Sequence, residues 1–194
     1  MGCGFSDESW QEEMERLELE LFKDGGADLS KLTRKFTIIN VEGKKLAVRT
    51  CIYNDDKSKK TLVMTHGFGC NGAMTAFKIL VPLAEHFRIV IFDNGGWGLN
   101  TKVKKEETQA LASPEASENY IVEWYKAAID AMTEAGDIPE KYYLTAHSGG
   151  ALGCMYYVSR HFDRIEGFFL QSPVGTQPVD EKYGDFKWDD YKYR

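Results

Sequence analysis

The chain has 194 residues, 43% of them apolar and 28% charged, enough apolar mass for one globular core, which excludes a chain disordered throughout. With 30 Asp and Glu against 24 Lys and Arg the net charge is -6, so the overall balance offers no attraction to a phosphate backbone, and nucleic acid is not an expected partner. No stretch approaches the ~20 consecutive apolar residues of a membrane-spanning helix, and the start of the chain lacks the basic and apolar run of a secretory signal.

Met1-Gly2-Cys3-Gly4-Phe5-Ser6 fits the N-myristoylation pattern: Gly2 becomes the acceptor once Met1 is removed, and Cys3 stands where a palmitoyl chain is often added. One acyl chain holds a membrane marginally and two hold it stably, so the reading sets an anchored cytoplasmic protein against a chance Gly after the initiator. Ser9 to Phe22 predicts a helix, with Ser9 and Glu12 as a capping box and Trp10, Met14, Leu17 and Leu21 as the stripe that packs on the domain. Its other face is so acidic that anionic headgroups would repel it, and any attachment would come from the acyl chains. Residues 1–30 are read as this acidic helix with its acylation site.

Beyond Gly25-Gly26 the pattern changes. Phe36 to Val41 and Leu46 to Ile52 flank Glu42-Gly43-Lys44 and predict a hairpin. Four short apolar runs follow, Thr61 to Thr65, Phe87 to Phe92, Tyr142 to Ala146 and Ile165 to Gln171, separated by segments of helical spacing. One helix before Phe87 carries Phe77, Leu80 and Leu83. A second, Tyr120 to Ala135, carries Ile121, Trp124, Ala128 and Met132, opened by Ser113-Pro114 or by Ser117 and closed by Gly136. A third follows Ser148. Strand and helix alternation with nearly continuous apolar strands predicts an α/β fold: a mostly parallel sheet with helices on both faces, preceded by an antiparallel hairpin. The core is placed at 31–175, and 176–194, rich in Tyr, Phe, Trp and charge, reads as the start of a lid or as a tail. Cys3, Cys51, Cys70 and Cys154 suit a reducing compartment, and neither they nor the four histidines have metal-ligand spacing, so no metal or cofactor is expected.

Parallel sheets place their sites beyond the carboxyl ends of the strands, and three of these loops carry motifs. After Thr65 comes His66-Gly67-Phe68-Gly69. After Phe92 comes Asp93-Asn94-Gly95-Gly96-Trp97-Gly98, a structural turn. After Ala146 comes His147-Ser148-Gly149-Gly150 and a helix, the small-x-Ser-x-Gly form of a nucleophile elbow. That geometry exposes the Ser148 hydroxyl at a helix amino terminus, where peptide dipoles favour a developing negative charge. The backbone N–H groups of Gly149 and Phe68 are the candidate oxyanion donors, with His66 and Gly67 supporting the turn.

In that order the motifs resemble the α/β-hydrolase superfamily, over about Phe36 to Gly175. Val41-Glu42-Gly43, Thr65 to Gly69, Phe92 to Gly98, Val122-Glu123-Trp124 and Leu170 to Gly175 are most similar to its lysophospholipase and lipase-coactivator branch. The resemblance implies Ser148 as nucleophile and an acyl-ester or lipid substrate handled at a membrane or lipid-droplet surface. It also implies a triad acid and His on loops after two further strands, which the reading finds absent. His161 lies too far along the helix from Ser148, His86 falls at the opposite end of the sheet, and the His147 side chain is expected to project away from the elbow. His66 is the nearest candidate base but reads as an orienting residue. Asp180 or Asp185 is a candidate acid with no base to orient. Two readings therefore stand beside the serine hydrolase: a fragment of a longer hydrolase, and a non-catalytic module binding a lipid or a lipase. Self-association or a partner at the exposed last strand is a further expectation. A nucleotide-binding loop is disfavoured because neither glycine run has P-loop or Gly-x-Gly-x-x-Gly spacing.

Overall fold

The computed structural model describes residues 7–102 and 113–174. Six strands, β1 (Leu32–Val41), β2 (Lys44–Tyr53), β3 (Lys60–Thr65), β4 (Phe87–Phe92), β5 (Tyr142–His147) and β6 (Ile165–Gln171), form one sheet in the order β1-β2-β4-β3-β5-β6. The β1–β2 hairpin turns through Glu42 and Gly43, both at positive φ, and β2 meets β4 antiparallel. The remaining pairs, β4–β3, β3–β5 and β5–β6, are parallel, as the alternating pattern required.

Two cores sandwich the sheet, and the period of two along each strand assigns residues to them. Val63, Val90 and Leu144 face α4 (Pro114–Glu134) and α5 (Ser148–His161). Leu62, Met64, Ile89 and Ile91 face the other layer, built from α1 (Asp7–Asp24), α2 (Gly72–Ala76) and α3 (Leu80–Ala84). Serving both cores is why these strands read as unbroken apolar runs.

Several boundaries differ from the sequence reading. The segment before Phe87 is two short helices, with Asn71 capping the first by accepting from the Met74 N–H. Ser113 caps α4 by accepting from the Ala116 N–H at 3.1 Å, so Ser117 lies inside the helix. Helix α1 is already formed at Asp7, ahead of Ser9, and only part of the expected stripe is covered: Met14 is half-buried and Leu21 packs on the core. Trp10 and Leu17 are exposed, whereas Phe22 and Glu18 are buried. Glu18 meets Arg49 of β2 at 2.7 Å and accepts from the Cys51 thiol, so a paired charge docks the helix together with Leu21 and Phe22. At the other end β6 has a neighbour on one side only among the described residues, and Phe169 on it is exposed. Gly2, Cys3, Asp180 and Asp185 lie outside the described residues. No described helix is long and apolar enough to cross a membrane.

Candidate active site

The carboxyl ends of β3, β4 and β5 bring the three motif loops to one place. Strand β5 passes directly into α5 at Ser148, whose φ of 50° lies in the left-handed region. A side chain there costs ~1 kcal/mol or more and is held by its surroundings. The surroundings are three glycines. A Cβ on Gly67 would lie 2.9 Å from the Ser148 Cβ, one on Gly149 would lie 2.3 Å from the Phe68 ring, and one on Gly150 would lie 2.1 Å from the His66 carbonyl oxygen. The loop after β3 is thereby pressed against the first turn of α5, where backbone N–H groups have no partner within the helix. No described side chain hydrogen-bonds the Ser148 hydroxyl.

His66 is fully buried. Its Nδ1–H donates to the Gly67 carbonyl at 2.7 Å and its Nε2 accepts from the Asn94 N–H at 2.9 Å, an arrangement that fixes the neutral tautomer. Burial lowers its pKa to about 4. With both nitrogens engaged, the ring has no site for the Ser148 proton. His161, the last residue of α5, stacks on Tyr157 with centroids 4.9 Å apart, and His86 precedes β4 at the far end of the sheet. The His147 ring packs on the loop after β3, its Nδ1 3.1 Å from where a Gly67 Cβ would stand, and makes no hydrogen bond to Ser148. That packing needs no space from Gly67 because glycine has no side chain.

Asp93 is structural. Its carboxylate accepts from the Gly72 N–H at 2.7 Å and the Leu99 N–H at 3.0 Å, and a Cβ on Gly98 would collide with it. Burial raises its pKa to about 6. The residue the sequence did not single out is Asn94. Its side-chain N–H donates to the His66 carbonyl, while its Oδ1 accepts from the Tyr125 hydroxyl at 2.6 Å and from the Thr65 hydroxyl. One side chain thus ties the β3 loop to α4, and Tyr125 in turn reaches the Gly150 carbonyl at 3.4 Å. An Asn between an Asp and two glycines reads only as a turn residue, so local pattern carries no signal of this role.

Beside Gly149 opens a cleft of about 140 Å³ lined chiefly by Phe68, Trp97, Tyr120, Ile121, Trp124 and Leu152. Phe68, 59% exposed, meets Trp97 edge-on at its mouth. Such walls suit an apolar group rather than a charged one. Among the described residues no three metal-ligating side chains cluster.

The alpha/beta hydrolase fold family matches residues 60–191 of the chain. A probable 1-acylglycerol-3-phosphate O-acyltransferase of Oryza sativa subsp. japonica is 24% identical over 133 residues, which is 66% of this chain and 28% of that protein. The abhydrolase domain-containing protein abhd-5.2 of Caenorhabditis elegans is 26% identical over 166 residues, 81% of this chain and 35% of that protein. Naproxen esterase of Bacillus subtilis has the same fold with a TM-score of 0.60 at 16% identity, over 92% of this chain and 55% of its own. The chain therefore spans about a third of the length of the rice and nematode relatives, and the nematode protein agrees with the branch the motifs resemble. The family match, the sheet order and the serine at a strand-to-helix turn together make this chain a member of the α/β-hydrolase fold family.

Proposed function

We propose that the chain carries the nucleophile and oxyanion side of a serine hydrolase site acting on a carboxylic ester of a lipid acyl chain. The observation that carries the reading is the left-handed backbone of Ser148 at the start of α5, held by three glycines against the loop after β3. A strained serine with no local structural bond is a cost that packing alone does not require. In this reading Ser148 attacks the acyl carbonyl, the Gly149 and Phe68 N–H groups receive the oxyanion, and the aromatic cleft takes the acyl chain. Lipid and ester chemistry in the names of the relatives supports the substrate class.

The test is labelling of the folded chain with a fluorophosphonate, with Ser148→Ala as control. Labelling abolished in the variant supports the nucleophile. Absence of labelling, or labelling that survives Ser148→Ala, overturns it. The locked His66 favours a second reading, a non-catalytic lipid-binding module, and that reading takes the unlabelled outcome. Cytoplasmic location with an acyl anchor at Gly2 and Cys3 belongs to the same proposal. Incorporation of a myristate analogue in cells, lost in Gly2→Ala, checks it.

A further inference from the structure

The end of the sheet opposite Ser148 holds a different chemistry. Where β3, β4 and β5 begin, Lys57, Lys59, Lys60, Arg88 and Lys141 line a cleft of about 370 Å³, with Glu166 as the acidic residue of the lining. This concentration of cations stands out in a chain of net charge -6. Arg88 is 1% exposed, and it donates from Nε to Asp55 and from Nη1 to the Asp137 carbonyl, but its Nη2 has no hydrogen-bond partner. Proteins rarely leave a buried guanidinium nitrogen without an acceptor.

The shortest bonds that position three of these lysines go to neutral oxygens, and their carboxylate contacts are longer. Lys59 Nζ donates to the Ala84 and Glu85 carbonyls at 2.8 and 2.9 Å, and Lys57 Nζ donates to the Gly136 carbonyl. Lys60 Nζ donates to the Tyr143 hydroxyl at 2.7 Å and stays 3.9 Å from Glu166. Lys141 is exposed and makes no ion pair or hydrogen bond among the described residues. Acids also flank the cleft: Asp55 is paired with Arg88 and lies 3.5 Å from Lys57, Asp56 accepts from the Ser58 hydroxyl near Lys59, and Asp137, whose carbonyl Arg88 bonds, pairs with Lys35, so the five cations of the lining are partly offset from its rim.

We propose that this cleft binds a phosphate-bearing anion, at a site separate from the one at Ser148. Six residues of β3 at ~3.3 Å each put about 20 Å between the two ends of the sheet. The shared chemistry is a phosphate group, carried either by a lipid headgroup or by a soluble phosphate compound. A multiply charged oxyanion supplies acceptors for the ammonium groups at the rim and for the Arg88 nitrogen below them.

The experiment uses the full chain produced without acylation, at low salt because such attraction is screened. The soluble probe is inorganic pyrophosphate, read by calorimetry. The surface probe is sedimentation with phosphatidylcholine vesicles containing about 20% phosphatidic acid, against phosphatidylcholine alone. The comparison variant is Lys57→Glu with Lys141→Glu, both exposed positions, with circular dichroism verifying the fold. Each lysine near an anionic surface is worth about fivefold in affinity, so the double variant should bind at least about 25-fold more weakly. Ser148→Ala should bind like the parent. Pyrophosphate binding alone assigns a soluble phosphate, vesicle binding alone assigns a headgroup, and either supports the site. Folded protein that binds neither probe, or a double variant that binds as tightly as the parent, overturns it.

Discussion

Replacing Asn94 tests whether one side chain holds the site together. Asn94→Ala removes the acceptor of the Thr65 and Tyr125 hydroxyls and the donor to the His66 carbonyl. Thr65, Tyr125 and His66 are 1%, 4% and 0% exposed, so these groups cannot all turn to solvent. At ~1–3 kcal/mol for each buried polar group left unsatisfied, three would cost about 3 kcal/mol at the low end. Two effects pull the value down: Asn94 lines the cleft, which admits water, and the Tyr125 hydroxyl has the Gly150 carbonyl at 3.4 Å as an alternative acceptor. A loss of about 2–4 kcal/mol in urea unfolding is expected. Tyr125→Phe should cost about 1 kcal/mol alone, and the double variant should cost less than the two separately, because the shared bond is lost once. Fluorophosphonate labelling should slow in Asn94→Ala at temperatures where it is fully folded. A loss below ~1 kcal/mol with additive single effects would refute the clamp.

Ser148→Gly should raise stability by about 1 kcal/mol, because glycine occupies a left-handed position without strain, whereas Ser148→Ala should not. Equal unfolding midpoints for the two variants would count against strain at this turn. Glu18→Ala should cost about 3–5 kcal/mol by leaving Arg49 buried without its partner, and limited proteolysis should then cleave α1 first. The acid range carries two opposing terms. Native Asp93, raised by burial from 3.8 to about 6, binds a proton before the unfolded residue does, so its contribution grows as pH falls through that interval. Native His66, lowered by burial from 6.5 to about 4, refuses a proton that the unfolded residue takes, so its contribution is lost over much the same interval. Each term is about 3 kcal/mol, and they nearly cancel in the parent. Unfolding midpoints from pH 6.5 to 4 should therefore rise on acidification in His66→Gln and fall in Asp93→Asn.

The loops were legible because their glycines are dictated by backbone approach. Gly67 and Gly150 stand where any Cβ meets a neighbouring loop, so their spacing after apolar runs marks the turn before any coordinates are known. The hairpin was legible from Glu42-Gly43, though Leu32 to Lys35 were missed, since a strand start with Thr, Arg and Lys carries little apolar signal. The face of α1 was legible only in part: apolar periodicity selects Met14 and Leu21, which are half-buried, along with Trp10 and Leu17, which are exposed, and it gives no sign of Glu18, whose partner Arg49 comes from a strand distant in sequence. Asn94 was invisible because its three partners lie on β3, the loop after β3 and α4, none of them on its own loop, a relation that only the folded topology creates. The neutrality of His66 likewise depends on burial and on the Asn94 N–H, neither of which is written in the His-Gly motif.

The sheet order also sets a timetable for biosynthesis. β3 lies between β4 and β5, and its Leu62 pairs with Tyr143, about 80 residues further along the chain. At ~5–20 residues per second, β3 leaves the ribosome some 4–16 s before its second neighbour is made. During that interval the run Leu62-Val63-Met64, buried in the finished protein, has an open edge and one bare face. Synthesis at a lower temperature or with a holding chaperone should therefore raise the soluble yield of this chain, and variants that make β3 less apolar should need that help less while paying in stability once folded.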